Sequence, residues 1–148
     1  MILLTVEEII RIHEKVIAAT GGSAGLRDRG LLESAVYGAC ASFDDVEVYP
    51  SVEEKAARLA YSLISNHAFI DGNKRLCVMI MLMTLKLNNV KILYTQAELT
   101  ALGLDTASGK SGYDDILSWI KAHKKYVSDS LIGVISDTDD SGKKHYKH

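Results

Sequence analysis

Apolar residues recur along most of this chain at helical spacing, and alternating stretches are scarce. Val6, Ile9, Ile10, Val16 and Ile17 share one face of a segment running from Thr5 to about Ala19, ended by Gly21-Gly22. Leu31, Leu32, Ala35, Val36 and Ala39 do the same for a second helix starting near Asp28. A third, from Ser51 to about Asn66, carries Val52, Ala56, Leu59, Ala60, Leu63 and Ile64 inward. Thr5-Val6-Glu7-Glu8, Ser51-Val52-Glu53-Glu54 and Thr95-Gln96-Ala97-Glu98 each fit a capping box; Ser111-Gly112-Tyr113-Asp114 is a weaker version. A fourth helix starts after Gly72 and reaches Asn88, where Asn88-Asn89 can supply a left-handed exit. Shorter helices follow over roughly residues 96–102 and 112–126, and only residues 90–94 read as extended.

The fourth helix is apolar nearly all round, with Leu76, Val78, Met79, Ile80, Met81, Leu82, Met83 and Leu85. Such a helix belongs at the buried centre of a bundle, wrapped by amphipathic ones. Methionine-rich stretches also serve as adaptable binding surfaces, but core packing fits this pattern better. The predicted architecture is all-α: a compact bundle of about six helices around a buried central helix. Residues 1–127 form that domain. Residues 128–148 are expected to be a polar, mobile tail, since residues 136–148 are rich in Asp, Ser, Gly and Lys and lack a hydrophobic face.

The chemistry concentrates in His67-Ala68-Phe69-Ile70-Asp71-Gly72-Asn73-Lys74-Arg75, between the third and fourth helices. Imidazole can take a proton from a hydroxyl near neutral pH. Asp71 can hold a magnesium ion, which usually keeps several waters and few protein ligands. Backbone N–H groups around Gly72, Asn73 and Lys74 form an anion site with the positive end of the following helix, and Lys74 and Arg75 balance a polyphosphate. Each residue also has a plain structural use: Asp71 as a helix N-cap, Gly72 as a turn, Lys74 and Arg75 as a solvated first turn, His67 as a buried ring bonded to a carbonyl. Together those uses explain the stretch poorly, because cations at a helix N-terminus oppose its dipole and a docked anion removes the conflict. His67 lies four residues beyond Leu63, so it continues the third helix's inner stripe if the last turn stays helical, and would face the turn at residues 71–73. His13 follows Ile9 by four residues with no anion turn after it, and reads as structural.

The nine residues resemble the signature of the Fic/Doc family in its Doc (death-on-curing) form, His-x-Phe-x-Asp/Asn-Gly/Ala-Asn-Lys-Arg. The segment Gly21-Gly22-Ser23-Ala24-Gly25-Leu26-Arg27-Asp28, running on into Gly30-Leu31-Leu32-Glu33-Ser34-Ala35, resembles the family's N-terminal part, and Ala107-Ser108-Gly109 with Trp119-Ile120 its C-terminal part. One departure is Leu76, where relatives commonly carry a small hydroxyl residue. The resemblance implies transfer of the ATP γ-phosphate to a Ser, Thr or Tyr hydroxyl of a target protein. His67 would be the base, Asp71 the magnesium ligand, and Gly72, Asn73, Lys74 and Arg75 the phosphate binders. Adenylyl transfer is the alternative; adenylylating relatives have glycine where this chain has Lys74. A catalytically inactive interaction module is a second. The implied target is elongation factor Tu, with arrest of translation, and the implied inhibitor is a separate small antitoxin. The inhibitory Ser/Thr-x-x-x-Glu pattern of many Fic relatives is missing, since Ser51 is followed four residues later by Lys55. The resemblance also places a target-docking flap at residues 42–50, where the residues alone fit a plain connection equally well.

Composition excludes several other classes. A formal charge of −2 with interspersed signs leaves no basic footprint for nucleic acid. The apolar run at residues 76–87 is too short to span a bilayer and contains Thr84 and Lys86. The opening Met1-Ile2-Leu3-Leu4 lacks a basic n-region, so a cytoplasmic protein without a membrane partner is expected. Cys40 and Cys77 both fall in helical apolar patterns and read as reduced, packed thiols; His145 and His148 sit in the polar tail, where no metal site is expected.

Overall fold

Helix starts fall where side chains close the first turn. The computed structural model describes residues 1–125; the expected tail at 128–148 lies outside them. The helices are α1 (Val6–Thr20), α2 (Arg29–Ala39), α3 (Val52–Asn66), α4 (Asn73–Leu87), α5 (Gln96–Ala107) and α6 (Tyr113–His123). Thr5, Ser51 and Thr95 close reciprocal capping boxes on α1, α3 and α5, and Asp28 caps α2 through the Leu31 N–H. At α6 the cap is Gly112 rather than Ser111, with the Asp115 carboxylate accepting from the Gly112 N–H at 2.8 Å.

The core forms where these apolar stripes meet, and its largest contact is between α3 and α4. Ile9, Leu32, Leu63, Leu76, Ile80, Met81, Leu85, Ile116 and Ile120 are all fully buried there. Leu76, the departure from the family pattern, fills core space. Thr84 is buried too, and satisfies itself by donating to the Ile80 carbonyl one turn back at 2.8 Å. The architecture is the expected all-α bundle, and no described helix is long and apolar enough to cross a membrane.

Several local expectations need correction. Helix α4 is not buried all round: Met79 and Leu87 are 42% and 40% exposed, and Lys74, Arg75 and Lys86 are exposed as well. Arg75, Met79 and Lys86 share one face by helical periodicity, and that face is open among the described residues. Helix α5 continues past Leu102 to Ala107. Gly103, a poor helix former, sits where a Cβ would lie 3.4 Å from the Lys74 Cγ, so it allows close packing on α4. Helix α6 stops at His123, whose carbonyl accepts from the Leu93 N–H, and the chain passes into β4 (Lys124–Lys125), antiparallel to β3 (Lys91–Ile92). Cys40 is exposed at the end of α2, whereas Cys77 is buried and desolvation pushes its thiol up to about 12.

Residues 42–50 form a hairpin, with β1 (Ser42–Phe43) paired antiparallel to β2 (Val46–Glu47). Asp44 and Asp45 both take positive φ, 51° and 63°, as a two-residue hairpin turn requires. Buried Lys55 ties this hairpin to the first turn of α3, bonding Glu47 Oε1 at 2.5 Å and the Tyr49 carbonyl at 2.6 Å. Its 15 residues make α3 about 22 Å long, and His67 lies past the other end. The hairpin is therefore tied to the end of α3 opposite His67, and residues 42–50 do not form a flap beside that residue.

Two measurements check this packing. Ile80→Ala should lower the stability of the fold by about 2–5 kcal/mol in urea unfolding, while Met79→Ala should change it by less than about 0.5 kcal/mol. Iodoacetamide should alkylate Cys40 in the folded protein and reach Cys77 only after denaturation, because a buried thiol held near 12 offers almost no thiolate at pH 8.

Candidate active site

Helix α3 ends abruptly. Spacing predicts His67 on its inner stripe, but the residue is its C-cap, in left-handed geometry at φ 49° and ψ 51°, and exposed. Arg27 holds this exit, donating through Nε to the His67 carbonyl at 2.7 Å and through Nη2 to the Asn66 carbonyl at 3.0 Å. These are carbonyls that a helix end leaves without intrahelical partners. His67 Nδ1 lies 3.3 Å from the Ser65 carbonyl. In the tautomer that donates from Nδ1 to this carbonyl, Nε2 carries the lone pair a general base needs.

Beyond His67 the chain dives inward. Ala68 and Phe69 are buried, and residues 25–28 pair with them like a short strand. The Arg27 and Asp28 N–H groups donate to the Ala68 carbonyl at 2.7 and 3.0 Å, and the Ile70 N–H donates to the Gly25 carbonyl at 3.1 Å. The Asn73 side chain closes the loop from within, its Oδ1 accepting from the Phe69 N–H at 3.2 Å and its Nδ2 donating to the Phe69 carbonyl at 2.9 Å. Its amide is thus committed to the loop, and Asn73 can offer an anion only its backbone N–H. His13, buried in α1, stacks on Phe69 at 3.9 Å between centroids and places Nε2 2.7 Å from the Asp71 carbonyl.

Asp71 does not cap α4 by its usual reach to the second or third residue. Its Oδ2 accepts from the Ser23 N–H at 3.0 Å and its Oδ1 from the Gly72 N–H at 2.7 Å. The Ser23 and Gly72 backbone donors, helped by the nearby Arg75 guanidinium, outweigh a small desolvation cost and hold its carboxyl below the usual range. Two glycines permit the close approach. A Cβ on Gly22, at φ 113°, would lie 2.6 Å from Asp71 Oδ2, and one on Gly72, at φ 78°, would lie 2.9 Å from the Ile17 Cδ1.

The N-cap of α4 is Gly72, with no side-chain capping bond and no acid in the first turn, whereas α1, α2, α3 and α5 are closed by a side chain. Lys74 and Arg75 occupy that turn, both exposed, with Arg75 Nη2 donating to the Gly21 carbonyl at 3.2 Å and the Lys74 stem lying against Gly103. An uncapped helix start flanked by two cations is suited to an anion. Among the described residues no group of three or more His, Cys, Asp or Glu gathers to chelate a metal by itself. One ionised carboxylate whose oxygens each keep acceptor capacity does fit a magnesium ion shared with substrate phosphates.

His67, Asp71, Gly72, Lys74 and Arg75 therefore come together around one turn, as their spacing suggests. Two participants escape a sequence reading. His13 looks structural because no turn follows it in the chain, yet it meets the turn across the bundle. Arg27 sits in a recognisable segment, but nothing local shows that its guanidinium caps α3.

The Fic/DOC family model matches residues 3–85, which carry α1 to α3, the whole loop and most of α4. The chain belongs to the Fic/DOC family. Among relatives, it is 49% identical over 57 residues to a Mycolicibacterium smegmatis protein named Toxin Doc, 38% of this chain and 44% of that one. It is 27% identical over 115 residues to an Escherichia phage P1 protein named Protein kinase doc, 78% of this chain and 90% of that one. The matched region thus spans under half the length of the first relative and most of the second. In Fic/DOC terms the segment beside the motif loop in this chain is residues 21–28, not the hairpin at 42–50.

Gly72→Ala should cost about 1–3 kcal/mol in thermal or urea unfolding, because alanine is strained at this φ and its methyl group meets Ile17. A carbon-detected NMR titration should place the Asp71 midpoint below the free aspartate value of about 3.9. With the folded pKa depressed, the carboxylate's contribution is present above the unfolded pKa and lost as pH falls through the folded one.

Proposed function

We propose that this chain is a Doc-type toxin acting in the cytoplasm, which transfers the γ-phosphate of ATP to a hydroxyl of a target protein. Elongation factor Tu is the target that the family resemblance implies, with arrest of translation as the outcome. The observation that carries the reading is the pairing of an exposed His67 at the end of α3 with the open, cationic start of α4 one loop away. The family membership and the name of the phage P1 relative support it.

In this mechanism the target hydroxyl attacks the γ-phosphorus while His67 Nε2 takes its proton. The bond from the γ-phosphorus to the β–γ bridging oxygen breaks, and ADP leaves. The N–H groups at the start of α4, with Lys74 and Arg75, bind the phosphates and stabilise the charge that moves to the leaving oxygen. Asp71 would hold magnesium, which supplies further neutralisation of phosphate charge when bound. The Lys74 stem, laid along Gly103, occupies room that a glycine would leave for a nucleotide lying along the loop, and this favours terminal transfer over adenylylation. A target chain would dock beside residues 21–28, of which 25–28 already border the loop. Ser51 and Lys55 serve the N-cap of α3 and the hairpin anchor, so inhibition is assigned to a separate small antitoxin chain.

ATP labelled at the γ-phosphate should mark the target, and ATP labelled at the α-phosphate should not. The reverse pattern would make the chain an adenylyltransferase, and no label from either would leave it an interaction module. His67→Ala should lose about a hundredfold to ten-thousandfold in transfer while keeping its thermal midpoint, since an exposed ring has little packing to lose.

A further inference from the structure

We infer that His13 is a positioning residue that locks the Asp71–Gly72 peptide with its N–H group outward, and that phosphate binding depends on this lock. The inference rests on reading the start of α4 as the phosphate site. His13 sits in the middle of α1 at 1% exposure, and its Nε2 is 2.7 Å from the Asp71 carbonyl. That oxygen can only accept, so Nε2 is the donor. Phe69 stacks on the ring at an interplanar angle of 19°, which fixes the direction of the N–H. Ile17, one turn further along α1, supports Gly72 from the same side.

A trans peptide unit carries its C=O and N–H on opposite sides. With the Asp71 carbonyl drawn toward α1, the Gly72 N–H points the other way, where it meets Asp71 Oδ1 at 2.7 Å and faces the open helix start. Glycine follows, and glycine tolerates the backbone change that rotation of this peptide requires. Such a rotation would release the Asp71 carboxylate and turn a carbonyl oxygen toward the anion. The bond from His13 opposes it from inside the core.

The test compares His13→Leu and His13→Phe, which keep an apolar fill without the donor, with His13→Gln, whose amide N–H can replace Nε2. Binding of a non-hydrolysable ATP analogue with magnesium is read by calorimetry, transfer by kcat and KM, and the Gly72 amide by nitrogen relaxation dispersion. All variants that unfold cooperatively are compared at temperatures well below their midpoints. The donor-less variants should lose about tenfold in analogue affinity and show new millisecond exchange confined to residues 70–73, while His13→Gln recovers most of the affinity. Wild-type affinity in a folded His13→Leu or His13→Phe protein would overturn the inference. So would a His13→Gln protein as weak as the donor-less ones, or loosening spread evenly over the bundle. If the unaltered protein binds no nucleotide, the proposed function fails on its own. Exchange at Gly72 then still decides, and an unchanged Gly72 amide in His13→Leu overturns the lock.

Discussion

The connection between α3 and α4 is irregular and drives Ala68 and Phe69 into the core, so the backbone polar groups drawn inward with them need partners that no helix supplies. Three elements provide them. Asn73 takes both polar groups of Phe69, residues 25–28 take the Ala68 carbonyl and the Ile70 N–H, and His13 takes the Asp71 carbonyl. The loop is held from below, from one side and from within. Its outward face is left with His67, the Asp71 carboxylate that accepts from the Gly72 N–H, and the uncapped first turn of α4.

Rigidity at this point has a chemical use. Preorganised donors stabilise developing charge without reorganising during the reaction, and they do so best when mounted on a fixed element. Helix α4 serves as that mount, since Leu76, Ile80, Met81 and Leu85 anchor its inner face in the core. Gly22 approaches Asp71 so closely that a Cβ there would press on the carboxylate. The site is thus a property of packing in α1, α3 and α4 as much as of its nine residues.

Much of this was legible in the chain because helices announce themselves locally. Capping boxes at Thr5, Ser51 and Thr95 and the apolar periodicity marked the starts of three helices, and the motif put His67 and Asp71 on one loop with Lys74 in the turn that follows. What escaped depended on distant partners. Periodicity carried His67 one residue too far, because the left-handed exit is stabilised by Arg27 from 40 residues away. Spacing could not show that His13 reaches Asp71 across 58 residues, or that the Asn73 amide is spent on Phe69. Family resemblance places a flap at residues 42–50, but the length of α3 and the Lys55 anchor carry that hairpin to the opposite end. Cys40 and the outer face of α4 looked buried for a related reason: an apolar pattern does not say which neighbour covers it.

The central claim is that the uncapped start of α4 is the phosphate site. Titrating a non-hydrolysable ATP analogue with magnesium into isotopically labelled protein, and following backbone amide shifts, tests it most directly. The account predicts the largest changes at Gly72, Asn73, Lys74 and Arg75, with a smaller response at Ser23 and none in the hairpin of β1 and β2. Saturable shifts centred on the hairpin or on β3, with residues 72–75 unmoved, would contradict it.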